Sequence, residues 1–171
     1  HKRPDFLALN PLGQLPVLTD DELILRDAQS ILLYLVSKYD AANTWFPEDA
    51  ATRGQVAMWT AFGGDEIMAA SAARLHDVLN YPFDIDQQRK SAHAAFLILD
   101  DHIAEQEIKG FDWLAGTSPT IADIACFPYV SLSEDGGISR EECPAIERWL
   151  RRVMDVPGFI DMPGVLQHWR S

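Results

Sequence analysis

Patterns that read as β-strand stop early in this chain. Two short apolar stretches, PVLT at 16–19 and LIL at 23–25, flank the acidic Asp20, Asp21 and Glu22, and this reads as a hairpin closed by a tight turn. Beyond residue 48 the apolar residues recur at steps of three and four, the period of one helical face. A chain divided this way cannot build a large sheet, so the expected architecture is a small strand-containing unit followed by an all-helical one. Around the hairpin, residues 4–9 (PDFLAL) form a helical turn halted at Asn10-Pro11, because a residue before proline is pushed out of the helical region. From Asp27, a residue type that caps exposed first-turn amides, Ile31, Leu32, Leu35 and Tyr39 fall at helical spacing. Residues 1–40 therefore read helix, strand, strand, helix. Residues 41–48, with Pro47, lose all periodicity and read as a linker.

Within 49–171 the spacing predicts four helices. Val56, Trp59, Gly63, Ile67, Ala70 and Arg74 place one long amphipathic helix over 50–79, stopped at Asn80-Tyr81-Pro82. Ala92, Phe96, Leu99 and Ile103 place a second over 84–107, antiparallel to the first. The third opens at Thr120-Ile-Ala-Asp123, where Thr120 and Asp123 fit the reciprocal capping pattern. Its run IADIACFPYV is apolar nearly all round, as a buried central helix requires. The fourth, over 144–154, carries Ile146, Trp149, Leu150 and Val153 on one face.

Composition narrows the function classes. With 171 residues, 47% hydrophobic and 23% charged, the chain has the make-up of a folded globular protein. A formal charge of −12 repels phosphate backbones and anionic membranes, so neither nucleic acid nor a membrane is an expected partner. No run reaches the ~18–20 apolar residues of a bilayer crossing, and the opening HKRPDF has no apolar signal core. A cytoplasmic location follows as the expectation. Cys126 and Cys143 lack CxxC spacing and read as reduced, structural residues. His76, His93, His102 and His168 show no HxxxH or HExxH spacing, so no metal is expected.

Four ordered blocks resemble the cytosolic glutathione transferases, bacterial members included. NPLGQLPVL (10–18) looks like that family's signature before a strand, and LRDAQSILLYL (25–35) is similar to its strand-to-helix glutathione segment. TIADIACFPY (120–129) resembles the capping box of its buried helix, and PAIERWLRRVMDVPGF (144–159) resembles its tail. The resemblance implies an α/β plus all-α fold, with a partial thioredoxin-like domain at 1–40 and an all-helical domain at 49–171. It also implies a homodimer. The family's fold opens with a strand, a helix and another strand, and the Ser, Tyr or Cys that activates the glutathione sulfur follows the first strand. That stretch is expected upstream of His1, so no residue of this chain is expected to be the activator.

On the same resemblance, glutathione is the co-substrate and six residues are its expected contacts. Leu15-Pro16 is implied to be a cis bond that presents the main chain of Leu15 to the cysteinyl unit, as in strand addition. The free amides at Ala28 suit the γ-glutamyl carboxylate, and Asp27 suits its ammonium or serves as a helix cap. His1 and Gln14 are expected at the glycyl end. Most members carry serine where this chain has Ala28. Trp59, Phe62 and Ile67 are candidates for an apolar electrophile pocket, or else for core. Gly63-Gly64 marks a close approach of a neighbouring helix or ligand, or a kink. The implied activity is attack of glutathione thiolate on a small apolar electrophile, or a related reduction or isomerisation. The alternative is a non-catalytic interaction or regulatory module on the same fold.

Overall fold

Pro4 starts the first helix, α1 (Pro4–Leu9), at a position where its missing N–H costs nothing, and Asn10 leaves the helix with ψ 100° ahead of Pro11. The computed structural model describes residues 1–163. Strands β1 (Val17–Asp20) and β2 (Leu23–Arg26) pair antiparallel in the register Val17↔Arg26, Leu18↔Leu25, Thr19↔Ile24 and Asp20↔Leu23. The turn between them needs a left-handed residue, and Asp21 supplies it at φ 50°. Helix α2 (Ala28–Tyr39) then folds back over the hairpin. The Tyr34 hydroxyl donates to Asp20 at 2.5 Å, and Lys38 pairs with the same carboxylate, which pins α2 to the end of β1.

Residues 40–49 carry neither helix nor strand. Asp49 then caps α3 (Ala50–Gly64) by accepting from the Thr52 amide at 2.8 Å. The single helix expected over 50–79 is in fact two, since α4 (Met68–Leu79) starts afresh after a break at Asp65, Glu66 and Ile67. At the break the Phe62 carbonyl accepts from both Asp65 (3.3 Å) and Ile67 (3.2 Å), so the regular ladder cannot continue. Two glycines at the end of α3 remove about 1 kcal/mol each of helix preference relative to alanine, which makes this the cheapest place to interrupt it. Helix α5 (Ile85–Ile108), capped by Asp84, matches the expected second helix. Helix α6 (Ile121–Ser131) lies in the middle, and α7 (Pro144–Met154) follows a short 3-10 turn at Ser133–Gly136.

The core forms where α3, α4, α5, α6 and α7 meet. Phe96, Leu99 and Ile103 from α5, Val130 from α6, and Ile146, Trp149 and Leu150 from α7 are all buried there. Ile31 is the buried residue of α2, and Leu32 and Val36 pack on the edge of the same core. This seats the hairpin unit on the helical one.

Candidate functional site

The register places the candidate site. Because Val17 pairs with Arg26, the segments just outside the ladder, Leu15-Pro16 and Asp27-Ala28, leave from the same end of the hairpin. Neighbouring strands lie about 4.8 Å apart, so one small molecule can touch both segments. The Leu15–Pro16 peptide bond is cis. Leu15 is 69% exposed, and its backbone N–H and C=O have no hydrogen-bond partner among the described residues.

The loop that delivers Leu15 is organised by one buried side chain. Asn10 is 1% exposed, its Nδ2 donates to the Gln14 carbonyl at 2.8 Å, and its Oδ1 accepts from the Leu12 amide at 3.1 Å. Its own carbonyl accepts from the Gly13 amide at 2.9 Å. Gly13 sits at φ 59°, where a Cβ would lie 3.0 Å from Lys2 Nζ and 3.1 Å from the His1 carbonyl oxygen. Lys2 Nζ in turn donates to the Gly13 carbonyl at 3.1 Å. The His1 carbonyl thus lies close to the loop at Gly13, and His1 and Gln14 are both exposed. Asn10 was legible only as a stop before proline, although an Asn-Pro pair between a helix and a loop is itself a signal of local side-chain to main-chain bonding.

Asp27 departs from its expected role as a cap. It stands at φ 70° and ψ 126°, its side chain caps no amide, and its carboxylate lies 3.8 Å from Arg26 Nη1. The backbone at positive φ carries the carboxylate away from the first turn. Its main-chain carbonyl still accepts from the Ile31 amide at 3.1 Å. The amides of Ala28, Gln29 and Ser30 are therefore left without partners among the described residues, and no acidic side chain occupies the first turn. Such a turn, with the helix dipole behind it, is an anion site. Five of the six candidate contacts (Gln14, Leu15, Pro16, Asp27 and Ala28) thus gather at one end of the hairpin, and His1 adjoins them through Gly13.

The candidate pocket residues do not stay together. Ile67 is fully buried and Trp59 is 5% exposed, both inside the helical core. The stripe they belong to faces α5 and α6, so they form core and no pocket wall. The Trp59 ring lies 4.2 Å from that of His102, and the Cys126 thiol donates to the Trp59 carbonyl at 3.4 Å. Burial lowers the His102 pKa, and its Nε2–H donates to the Leu114 carbonyl at 2.8 Å. Phe62 alone remains half-buried, edge-on to Trp59 at 5.0 Å.

Thr120 and Asp123 form the reciprocal capping box at the start of α6, where the Thr120 amide donates to Asp123 Oδ2 at 2.9 Å. Asp123 also accepts from the Leu114 amide at 3.1 Å. Among the described residues no three His, Cys, Asp or Glu side chains are grouped to hold a metal ion, and no helix is long and apolar enough to cross a membrane. His168 lies outside the described residues.

Comparisons with known proteins bear on the family and the fold. The family model described as Glutathione S-transferase, N-terminal domain, matches residues 1–43, and the one described as Glutathione S-transferase, C-terminal domain, matches 82–152. The Glutathione S-transferase GstB of Escherichia coli K12 is 28% identical over 161 residues, covering 90% of this chain and 74% of that protein. The crystal structure of a glutathione S-transferase from Xanthobacter autotrophicus Py2 superposes with a TM-score of 0.82 at 28% identity, covering 98% of this chain and 80% of that one. Ure2p in complex with S-hexylglutathione superposes with a TM-score of 0.77 at 26% identity, covering 96% and 78%. With both terminal domains matched and the fold shared, the chain belongs to the glutathione S-transferase family.

Proposed function

We propose that the chain binds glutathione at the open end of the hairpin and serves a glutathione transferase. The observation that carries this reading is the pairing of Val17 with Arg26, which sets the unpartnered main chain of Leu15 beside the unpartnered amides of Ala28, Gln29 and Ser30. In this reading the cysteinyl unit lies along Leu15 as an added strand, with Pro16 shaping the approach. The γ-glutamyl carboxylate takes the amides that begin at Ala28, and Asp27 meets the ammonium beside it. His1 and Gln14 lie toward the glycyl carboxylate. The bound glutathione of the Ure2p complex, as its S-hexyl derivative, supports the ligand class for a fold of this kind.

The chemistry is nucleophilic substitution. The thiolate, a far stronger nucleophile than the thiol, forms a carbon–sulfur bond to a small apolar electrophile, and the leaving group departs with the bonding pair. A thiol-activating Ser, Cys or Tyr is proposed upstream of His1, and a related reduction or isomerisation can share the same bound thiolate. The chain is proposed to act as a cytoplasmic homodimer in which 1–40 and 49–171 are distinct domains joined by 41–48. Phe62 is the remaining candidate for the electrophile side.

Retention of the full-length protein on immobilised glutathione, with conjugation of an activated aryl halide followed by absorbance, tests the reading. Retention with turnover supports it. A folded protein that is neither retained nor active overturns it in favour of a non-catalytic interaction module. Ala28, which lacks the hydroxyl that serine would place beside the carboxylate, is the feature that favours that second reading.

A further inference from the structure

Two adjacent glycines end α3, and they face different neighbours. A Cβ on Gly63 would stand 3.0 Å from the main-chain carbon and oxygen of Ala125, so Gly63 allows α3 and α6 to approach backbone to backbone. A Cβ on Gly64 would instead stand 2.2 Å from Nε2 and 2.7 Å from Cδ of Gln29, on α2. Gly64 has no left-handed φ to require a glycine, and alanine is the better helix former. What the missing methyl provides is room for the Gln29 carboxamide.

Gln29 is the second residue of α2, and its own N–H is one of the three open amides of the site. The first turn of α2 has no side-chain cap to hold it. The end of α3 lies against this turn, and the Gln29 side chain fills the space beside Gly64. We propose that Gln29 is a positioning residue for the amides of Ala28, Gln29 and Ser30, and that Gly64 is its seat. The inference rests on the glutathione reading above for its functional consequence, and on the Gln29–Gly64 packing for its structural one.

Gly64→Ala in the full-length protein tests it, since only a flexible side chain has to move and the fold is kept. The expected result is an increase of about fivefold in the glutathione Kd by calorimetry and in KM, with kcat within about twofold and an unchanged or higher melting temperature. Gln29→Ala alone should weaken binding to a similar degree. Gly64→Ala should then add nothing in the Gln29→Ala background, because both changes remove one contact. Full additivity of the two effects, or an unchanged Kd in a folded Gly64→Ala protein, overturns the proposal. In the ligand-free protein, Gly64→Ala should also shift the amide resonances of Ala28, Gln29 and Ser30. If wild type has no affinity for glutathione, the functional reading fails by itself, and these resonances still decide the positioning contact: shifts support it and unmoved resonances overturn it.

Discussion

The indole N–H of Trp149 donates to Asp123 Oδ1 across 2.9 Å, joining α7 to the first turn of α6 inside the core. The same carboxylate accepts from the Leu114 amide, the Thr120 amide and the Thr120 hydroxyl. Asp123 is thus more than a helix cap, because three separate segments end on it. Asp123→Ala strands buried donors in each of them. With about 1–3 kcal/mol for each orphaned buried group, partly recovered by relaxation, a loss of about 3–5 kcal/mol is expected in denaturant unfolding. A loss below about 1 kcal/mol, no larger than a simple cap, would show that Trp149 and Leu114 find other acceptors.

Glu107, near the end of α5, accepts from Arg148 at 2.5 Å and from Arg152 at 2.7 Å, both on α7. The hydrogen bond from Arg148, ahead of that from Arg152, holds its carboxyl below the usual carboxylate range. A depressed folded pKa means that this stabilisation is complete above about pH 4.3 and is lost as pH falls through the folded value. Glu107→Gln should cost about 1 kcal/mol at pH 7, a small figure because Arg148 is half exposed. It should also flatten the acid limb of the melting-temperature profile between pH 5 and 3, scanned at about half-unit steps. An acid limb identical to wild type would count against the pair.

Ala28→Ser puts a hydroxyl at the first residue of α2, beside the open amides. One added hydrogen bond to the γ-glutamyl carboxylate contributes about 0.5–1.5 kcal/mol, or roughly 2–10-fold in the glutathione Kd. Calorimetry on the variant checks this, and an unchanged Kd would mean that the amides alone satisfy the carboxylate.

Asp27→Gly should act in two directions. A non-glycine residue at φ 70° carries strain, and glycine releases about 1 kcal/mol of it, which raises the melting temperature. Losing the carboxylate weakens glutathione binding at the ammonium. Raised stability with undiminished affinity would remove Asp27 from the ligand site while leaving the strain argument intact.

Local signals were legible in the sequence, and relations between distant segments were not. The capping box at Thr120 and Asp123, the stop at Asn10-Pro11 and the helix Ile85–Ile108 all depend on residues within a turn or two of one another. Val56, Trp59, Gly63 and Ile67 do form one buried face, but periodicity does not say what a face meets. Spacing alone leaves Trp59 and Ile67 open as pocket wall or as core, and the fold buries both in the helical core. The break before α4 was hidden for a related reason, because Ile67 continues the spacing across it. Asp27 has the residue type of a cap, yet it stands at φ 70° and caps no amide, a backbone state that spacing does not reveal.

The two glycines at the end of α3 also fix that helix's length. Each residue of a helix is turned by about 100° from the last, so an insertion or deletion between Val56 and Gly63, inside the buried stretch of α3, would swing both glycines off their targets together. A methyl-bearing residue would then press on the main chain of Ala125, and the space beside Gln29 would close. Loops at the surface can absorb such changes, but the buried stretch of this helix works as a ruler between α6 and the hairpin unit and can be neither lengthened nor shortened.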